Sequence, residues 1–200
     1  MILVGIDLKT KLPIFSVSGL DRPEDTSEVI YIETLEGVDV LSVLSEYYYD
    51  GANLVFRGSQ PSLNYQWDSN TSLWVYDLSL SKLSLVDKFN SLCQSAIYEG
   101  FTSNALGSLH NYPLKQTDQI NLVASVTDSY NPENSEDWTT SFWCVDSLGN
   151  WDYRLHNKAQ IQRVGSDGKM HITTQIKTNA ILQAQIQQAT TKEELEAITW

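Results

Sequence analysis

Leu78–Gly100 reads LSLSKLSLVDKFNSLCQSAIYEG, and it is where the hydrophobic period of the chain changes. Leu83, Val86, Asn90, Cys93 and Ile97 fall at spacings of three, four, three and four, which places them on one helical stripe. Ser79 or Ser81 is a candidate N-cap and Gly100 a candidate stop. Asn90 is a polar residue in the middle of an apolar seam, the kind of residue that fixes register. The stripe faces either another helix of the same fold or identical helices in an oligomer, and so short a seam favours packing within the chain.

Upstream of this helix the sequence reads as strand. Pro13–Ser18 (PIFSVS) and Glu28–Thr34 (EVIYIET) are rich in β-branched and aromatic residues around the turn-forming Gly19–Asp25. Val38–Leu44 fits a strand or a short helix equally. Tyr47–Tyr49 and Asn53–Arg57 flank Asp50-Gly51, a tight-hairpin signature. Tyr65–Trp67 and Leu73–Tyr76 flank Asp68–Thr71 and predict a second hairpin.

Downstream, Phe101–Pro113 has the Asn, Gly and Pro content of a loop, and Asp118–Thr127 (DQINLVASVT) places Ile120, Val123 and Thr127 on one helical face. Asn131-Pro132 breaks that helix. Phe142–Val145 and Trp151–Arg154 around Asp146–Asn150 predict a third hairpin, with Trp143 and Trp151 on opposite arms as Trp67 and Trp74 are on the second. Such pairs are read first as cross-strand packing. Asn157–Val164 predicts a short helix closed by a turn at Gly165-Ser166-Asp167-Gly168, followed by a longer helix through Ile172, Ile176, Leu182, Ile186 and Ala189. That helix carries Gln175, Gln183, Gln185, Gln187 and Gln188, an amide-rich face that is either solvated or pairs with a partner. Thr191 and Glu194 form a capping box for a last turn, whose Leu195 and Ile198, with Trp200, are expected to dock on the 142–154 hairpin.

The reading is an α+β chain: a β-rich N-terminal region of hairpins over 1–77, a connecting helix over 78–100, and a domain over 101–200 in which helices pack on an aromatic β-hairpin. Two hundred residues suffice for one large domain or two small ones. With 42% hydrophobic residues, 6 Trp, 10 Tyr and 5 Phe, the composition excludes a disordered acidic tail or a low-complexity chain. The net charge is −12, and residues 1–100 carry 14 acidic against 6 basic side chains. That field repels phosphate and anionic lipid, so neither nucleic acid nor a membrane surface is an expected partner. Apolar runs of a few residues predict no membrane insertion, and the start of the chain carries no secretory signal. Cys93 and Cys144 sit among apolar or small neighbours with no Cys-x-x-Cys spacing, and are expected as buried free thiols.

No catalytic, cofactor-binding or metal-binding set emerges. His110, His156 and His171 lie far apart with no ligand spacing around them, and surface or capping roles are expected for each. Gly165–Lys169 has the composition of a phosphate loop without its spacing or a preceding parallel strand. Asp146 and Asp152 flank a turn and could form a carboxylate pair for glycoside hydrolysis, although Asp at a turn needs no such explanation. No nucleophile, base and orienting group are legible together, so the chain is not expected to be an enzyme.

Gly100–Asn104 after a helix, Asp118–Leu122 (DQINL), the aromatic hairpin Trp138–Trp151, the segment His156–Gln160 and the ending Gln185–Trp200 (QIQQATTKEELEAITW) form a recognisable series. With them, residues 78–200 resemble a phage-associated domain of unknown function at the C-terminal end of tail-fibre and tail-fibre-assembly proteins. Asn157 stands where that family has Thr after its His, and both residues are helix caps. Residues 61–77 resemble the Trp-containing segment that precedes this domain. The resemblance does not reach residues 1–60, where attachment specificity for a phage part would reside.

The resemblance implies a tail-fibre, hinge or adaptor component linking fibre and baseplate in a tailed phage virion, assembled in the host cytoplasm. It brings no activity and no cofactor. Implied partners are tail-fibre and baseplate proteins and further copies of the chain, with a trimer best suited to a fibre. A tail-fibre assembly chaperone that leaves before the particle matures is the alternative. The 61 Ser, Thr, Asn and Gln residues suit a static particle component, and the acidity suits a chaperone. The candidate interface comprises Leu83, Val86, Asn90, Cys93, Ile97, Gln175, Gln183 and Ile186. A more distant reading is a glycan-binding or glycan-cleaving module with Trp67, Trp74, Trp143 or Trp151 as stacking platforms.

Overall fold

The apolar opening of the chain becomes a central strand. In the computed structural model, which describes residues 2–19 and 21–200, β1 (Ile2–Asp7) lies between β2 (Pro13–Ser18) and β3 (Val29–Glu33) in an antiparallel sheet of order β2-β1-β3. Met1 of the opening run and Leu20 of the expected turn at Gly19–Asp25 lie outside the described residues. A run without alternation suits a strand covered on both sides, and Leu3, Val4 and Ile6 are all buried. The ambiguous Val38–Leu44 resolves as helix α1 (Val40–Glu46), because the Asp39 carboxylate accepts hydrogen bonds from the Leu41 and Ser42 amides. Val43 on α1 and Leu54 close a small core with Val4 and Ile6.

Two hairpins follow, β4 (Tyr47–Tyr49) with β5 (Leu54–Phe56), and β6 (Tyr65–Asp68) with β7 (Leu73–Tyr76). Arg57 ties them together. Its guanidinium lies 4.6 Å from the Trp74 ring centre and 5.4 Å from that of Trp67, and it donates to the Ser45 carbonyl at 2.9 Å. A cation over aromatic faces contributes about 0.5–2 kcal/mol.

The chain divides into two compact units, residues 1–81 and 82–200, so the boundary falls inside helix α2 (Leu78–Tyr98). Only the first turn of α2 belongs to the first unit, and the rest packs as part of the second rather than standing apart as a connector. Its cap is Asp77, not Ser79 or Ser81. The Asp77 carboxylate accepts from the Leu80 amide at 2.9 Å, and the Ser81 hydroxyl donates to the Asp77 carbonyl.

In the second unit, Phe101–Pro113 is not a loop. It holds β8 (Phe101–Ser103) and β9 (His110–Tyr112), each too short for alternation to show in sequence. They extend β10 (Thr139–Val145) and β11 (Trp151–Asn157) into an antiparallel sheet of order β11-β10-β9-β8. Phe101, Tyr112, Phe142 and Cys144 point from its inner face into a core completed by Leu122 on helix α3 (Gln116–Asp128) and by Ile161 and Val164 on helix α4 (Lys158–Gln188).

Helix α4 runs unbroken over Lys158–Gln188, with no turn at Gly165–Gly168. These glycines serve packing. A Cβ on Gly165 would lie 2.7 Å from Val126 Cγ2 of α3, and one on Gly168 would lie 2.9 Å from Phe101 Cζ of β8. Asn157 and Gln160 form its reciprocal capping box. Thr191 and Glu194 cap α5 (Lys192–Glu196) as the sequence predicts. The C-terminus docks elsewhere than expected: Leu195 is buried, and Trp200 meets Phe89 of α2 at a ring-centre distance of 6.0 Å, not the 142–154 hairpin. The protein is thus α+β, with N-terminal hairpins and a helical C-terminal end.

Gly168 tests the close approach. Gly→Ala inside a helix ordinarily gains about 1 kcal/mol of propensity. Here overpacking against Phe101 should outweigh it, giving a net loss of about 1–3 kcal/mol. Urea denaturation of Gly168→Ala beside the exposed control Ser166→Ala checks this, and a stabilised Gly168→Ala would contradict it.

Candidate functional site

The stripe on α2 meets α4 within the same chain. Asn90 Oδ1 accepts from Asn179 Nδ2 at 2.9 Å and from Gln183 Nε2 at 2.6 Å, so the register-fixing residue pairs with amides of the Gln-bearing helix. Lys82 Nζ donates to the Gln187 carbonyl, and the His171 ring reaches the Ala96 carbonyl at 3.1 Å. Cys93 and Ile186 are buried, Val86 and Gln175 are half-buried, and Ile97 packs on the main core. Of the eight candidate interface residues, Leu83 keeps a broadly open apolar side chain, at 63% exposure. The seam therefore has an occupant inside the chain, which removes Cys93 and Ile186 from any surface available to a partner.

The histidines are placed differently from expectation. His156 is fully buried and His110 nearly so, because the period of two turns both toward the inner face of the sheet. His156 Nδ1 faces the Arg154 carbonyl at 2.8 Å and Nε2 faces the Tyr112 hydroxyl at 2.9 Å. The carbonyl can only accept, so Nδ1 carries the proton and Nε2 accepts from Tyr112. Burial pushes the His156 pKa down and those of Tyr112 and Cys144 up, which keeps all three neutral. Both cysteines are buried free thiols. Asp146 and Asp152 line the same open cleft beside Arg154. Asp146 holds its own turn by accepting from the Leu148 and Asn150 amides, and it pairs with Arg154 at 3.0 Å. The Asn150 and Leu148 amide bonds and Arg154 hold its carboxyl below the usual range.

The outer face of the same sheet is open. Trp143, Val145, Trp151, Tyr153 and Leu155 alternate with the inward set and point away from the core. Trp143 stacks on Trp151 at 5.8 Å and meets its cross-strand partner Tyr153 at 4.9 Å, yet the three remain 38%, 46% and 64% exposed. Beside this ladder, Asp118, Asn121, Phe142, Trp143 and Tyr153 line an open cleft of about 210 Å³. Sequence reading identified the two tryptophans but not Tyr153, which the alternation of WDYRLHN puts on the same face as Trp151 without saying whether that face is covered. Trp67 and Trp74 differ. They are half-buried, contact each other at 5.5 Å and cover Arg57. Among the described residues, no group of three His, Cys, Asp or Glu side chains is placed to hold a metal ion, and no helix is long and apolar enough to cross a membrane.

The neutral His156 makes folding pH-dependent. Its folded pKa lies below the ordinary 6.5, so the unfolded chain takes up the proton first. The stabilising contribution is complete above about pH 6.5 and is lost as pH falls toward the folded pKa. Urea denaturation at pH 7.5 and 5.5 should show this loss in the parent and a smaller one in His156→Gln. Equal losses in both would show that His156 does not carry the effect.

Comparison with curated proteins and with solved structures gave no match. A family model, the domain of unknown function DUF4376, matches residues 82–199, more than half of the chain and nearly the whole second unit. The chain belongs to the DUF4376 family.

Proposed function

We propose that the protein is a structural component of a tailed phage virion, a tail-fibre, hinge or adaptor part between fibre and baseplate. The observation that carries this reading is the resemblance of residues 78–200, above all the ending QIQQATTKEELEAITW, to the C-terminal domain of tail-fibre-associated proteins. The capped end of the chain adds support. In the second unit that ending forms the last turn of α4 and the Thr191 box, with Leu195 buried, so the residues behind the resemblance build structure. A surface with a wide unpartnered apolar ladder and neutral amides suits a protein that works by contact.

Because Asn90 pairs inside the chain, in this reading contacts with fibre, baseplate or further copies use exposed groups such as Leu83 or the β-rich first unit. Mass spectrometry of purified particles of the phage encoding the chain should find it in stoichiometric copies. Presence in infected cells but absence from particles would instead assign it to fibre assembly as a chaperone.

A further inference from the structure

We propose that the outer face of β10 and β11, with the cleft beside it, binds a neutral hexopyranose chain. Three aromatic rings on adjacent strands form a continuous strip, Trp151, Trp143 and Tyr153, and remain open although their ring-to-ring contacts are satisfied. A pyranose presents a flat apolar C–H face and a rim of hydroxyls, which matches rings that offer an apolar body with a polar edge.

The second observation is the polar side of the cleft. Asp118 and Asn121, one turn apart on α3, share its lining with Trp143 and Tyr153. Asp118 Oδ2 accepts from the Lys115 amide, and no other bond engages its carboxylate among the described residues. A carboxylate oxygen accepts from a sugar hydroxyl, and a carboxamide both donates and accepts, so the pair can read adjacent hydroxyls. At about 210 Å³ the cleft is smaller than the ~300–1,000 Å³ of pockets for drug-sized ligands. It suits a single ring, with the neighbouring rings of the polymer lying along the strip.

Charge selects among ligands with a stackable face. No Lys or Arg lines the cleft, and Asp118 does, so nucleotides and acidic sugars meet a repulsive site. Trp67 and Trp74, the tryptophan pair of the first unit, are occupied by Arg57 and do not compete as a platform. This inference stands apart from virion membership, because the isolated chain either binds sugar or does not, whatever particle it belongs to.

The test titrates the full chain with cellohexaose, maltohexaose and chitohexaose, following tryptophan emission and saturation-transfer NMR, with hexagalacturonate as the acidic counterpart. At least one neutral hexasaccharide should bind saturably and more tightly than hexagalacturonate. Tyr153→Ala and Asn121→Ala, both at exposed positions, should each weaken that binding about tenfold or more while leaving the circular dichroism spectrum unchanged. Binding of none of the neutral sugars, binding unaffected by both substitutions, or tighter binding of hexagalacturonate would overturn the proposal. So would displacement of the strip's signal by decaproline alone, which would assign it to a peptide. Concentration-dependent self-association lost in Tyr153→Ala without sugar binding would assign the face to a second copy and overturn it as well.

Discussion

The second unit depends on how closely α4 approaches its neighbours. Gly165 and Gly168 lie one turn apart and leave room for Val126 of α3 on one side and Phe101 of β8 on the other. A side chain at either position would push those groups outward, and cores at crystalline packing density have no slack to absorb the shift. Because Phe101 stacks on Tyr112, and Tyr112 bonds to His156, the glycine contact also sets where the sheet's inner face lies. Gly100 tightens the same region from the other end. Its φ of +93° reverses the chain after α2, and a Cβ there would collide with the Tyr112 carbonyl oxygen.

With the inner face fixed, the outer face follows from the pleat. Residues that alternate with Phe142 and Cys144 on β10, and with Arg154 and His156 on β11, must point away from the core, and three of them, Trp143, Trp151 and Tyr153, are aromatic. The inner face holds a neutral hydrogen-bonded pair of Tyr112 and His156, and the outer one an exposed strip. The same strands thus separate a group of side chains that stabilise the fold from a group available to a ligand.

The α2–α4 seam shows how one polar residue distinguishes two assemblies. Asn90 with two amide donors inside the chain is satisfied at one register, since a one-turn slip would separate it from Asn179 and Gln183. A stripe with this pattern would look the same in sequence if its partner were another copy. The identity of the partner depends on where α4 returns, which is a matter of tertiary path.

Local signals in the sequence determined much of this protein. Asp50-Gly51, Asp68–Thr71 and Asp146–Asn150 marked three hairpins because turns draw on side chains that bond their own backbone. The period of Leu83 to Ile97 marked α2, and Thr191 with Glu194 marked the last cap, since both depend on residues within a few positions of one another. Tertiary structure decided the rest. Gly165–Gly168 carries a turn's composition, and close packing against Val126 and Phe101 accommodates it inside a 31-residue helix. The three-residue strands β8 and β9 exist because β10 pairs with β9 and because the core lies beneath them. Neither the burial of His156 nor the exposure of Tyr153 could be read from the sequence, because alternation fixes that the two residues face opposite ways but not which of those faces the helices cover.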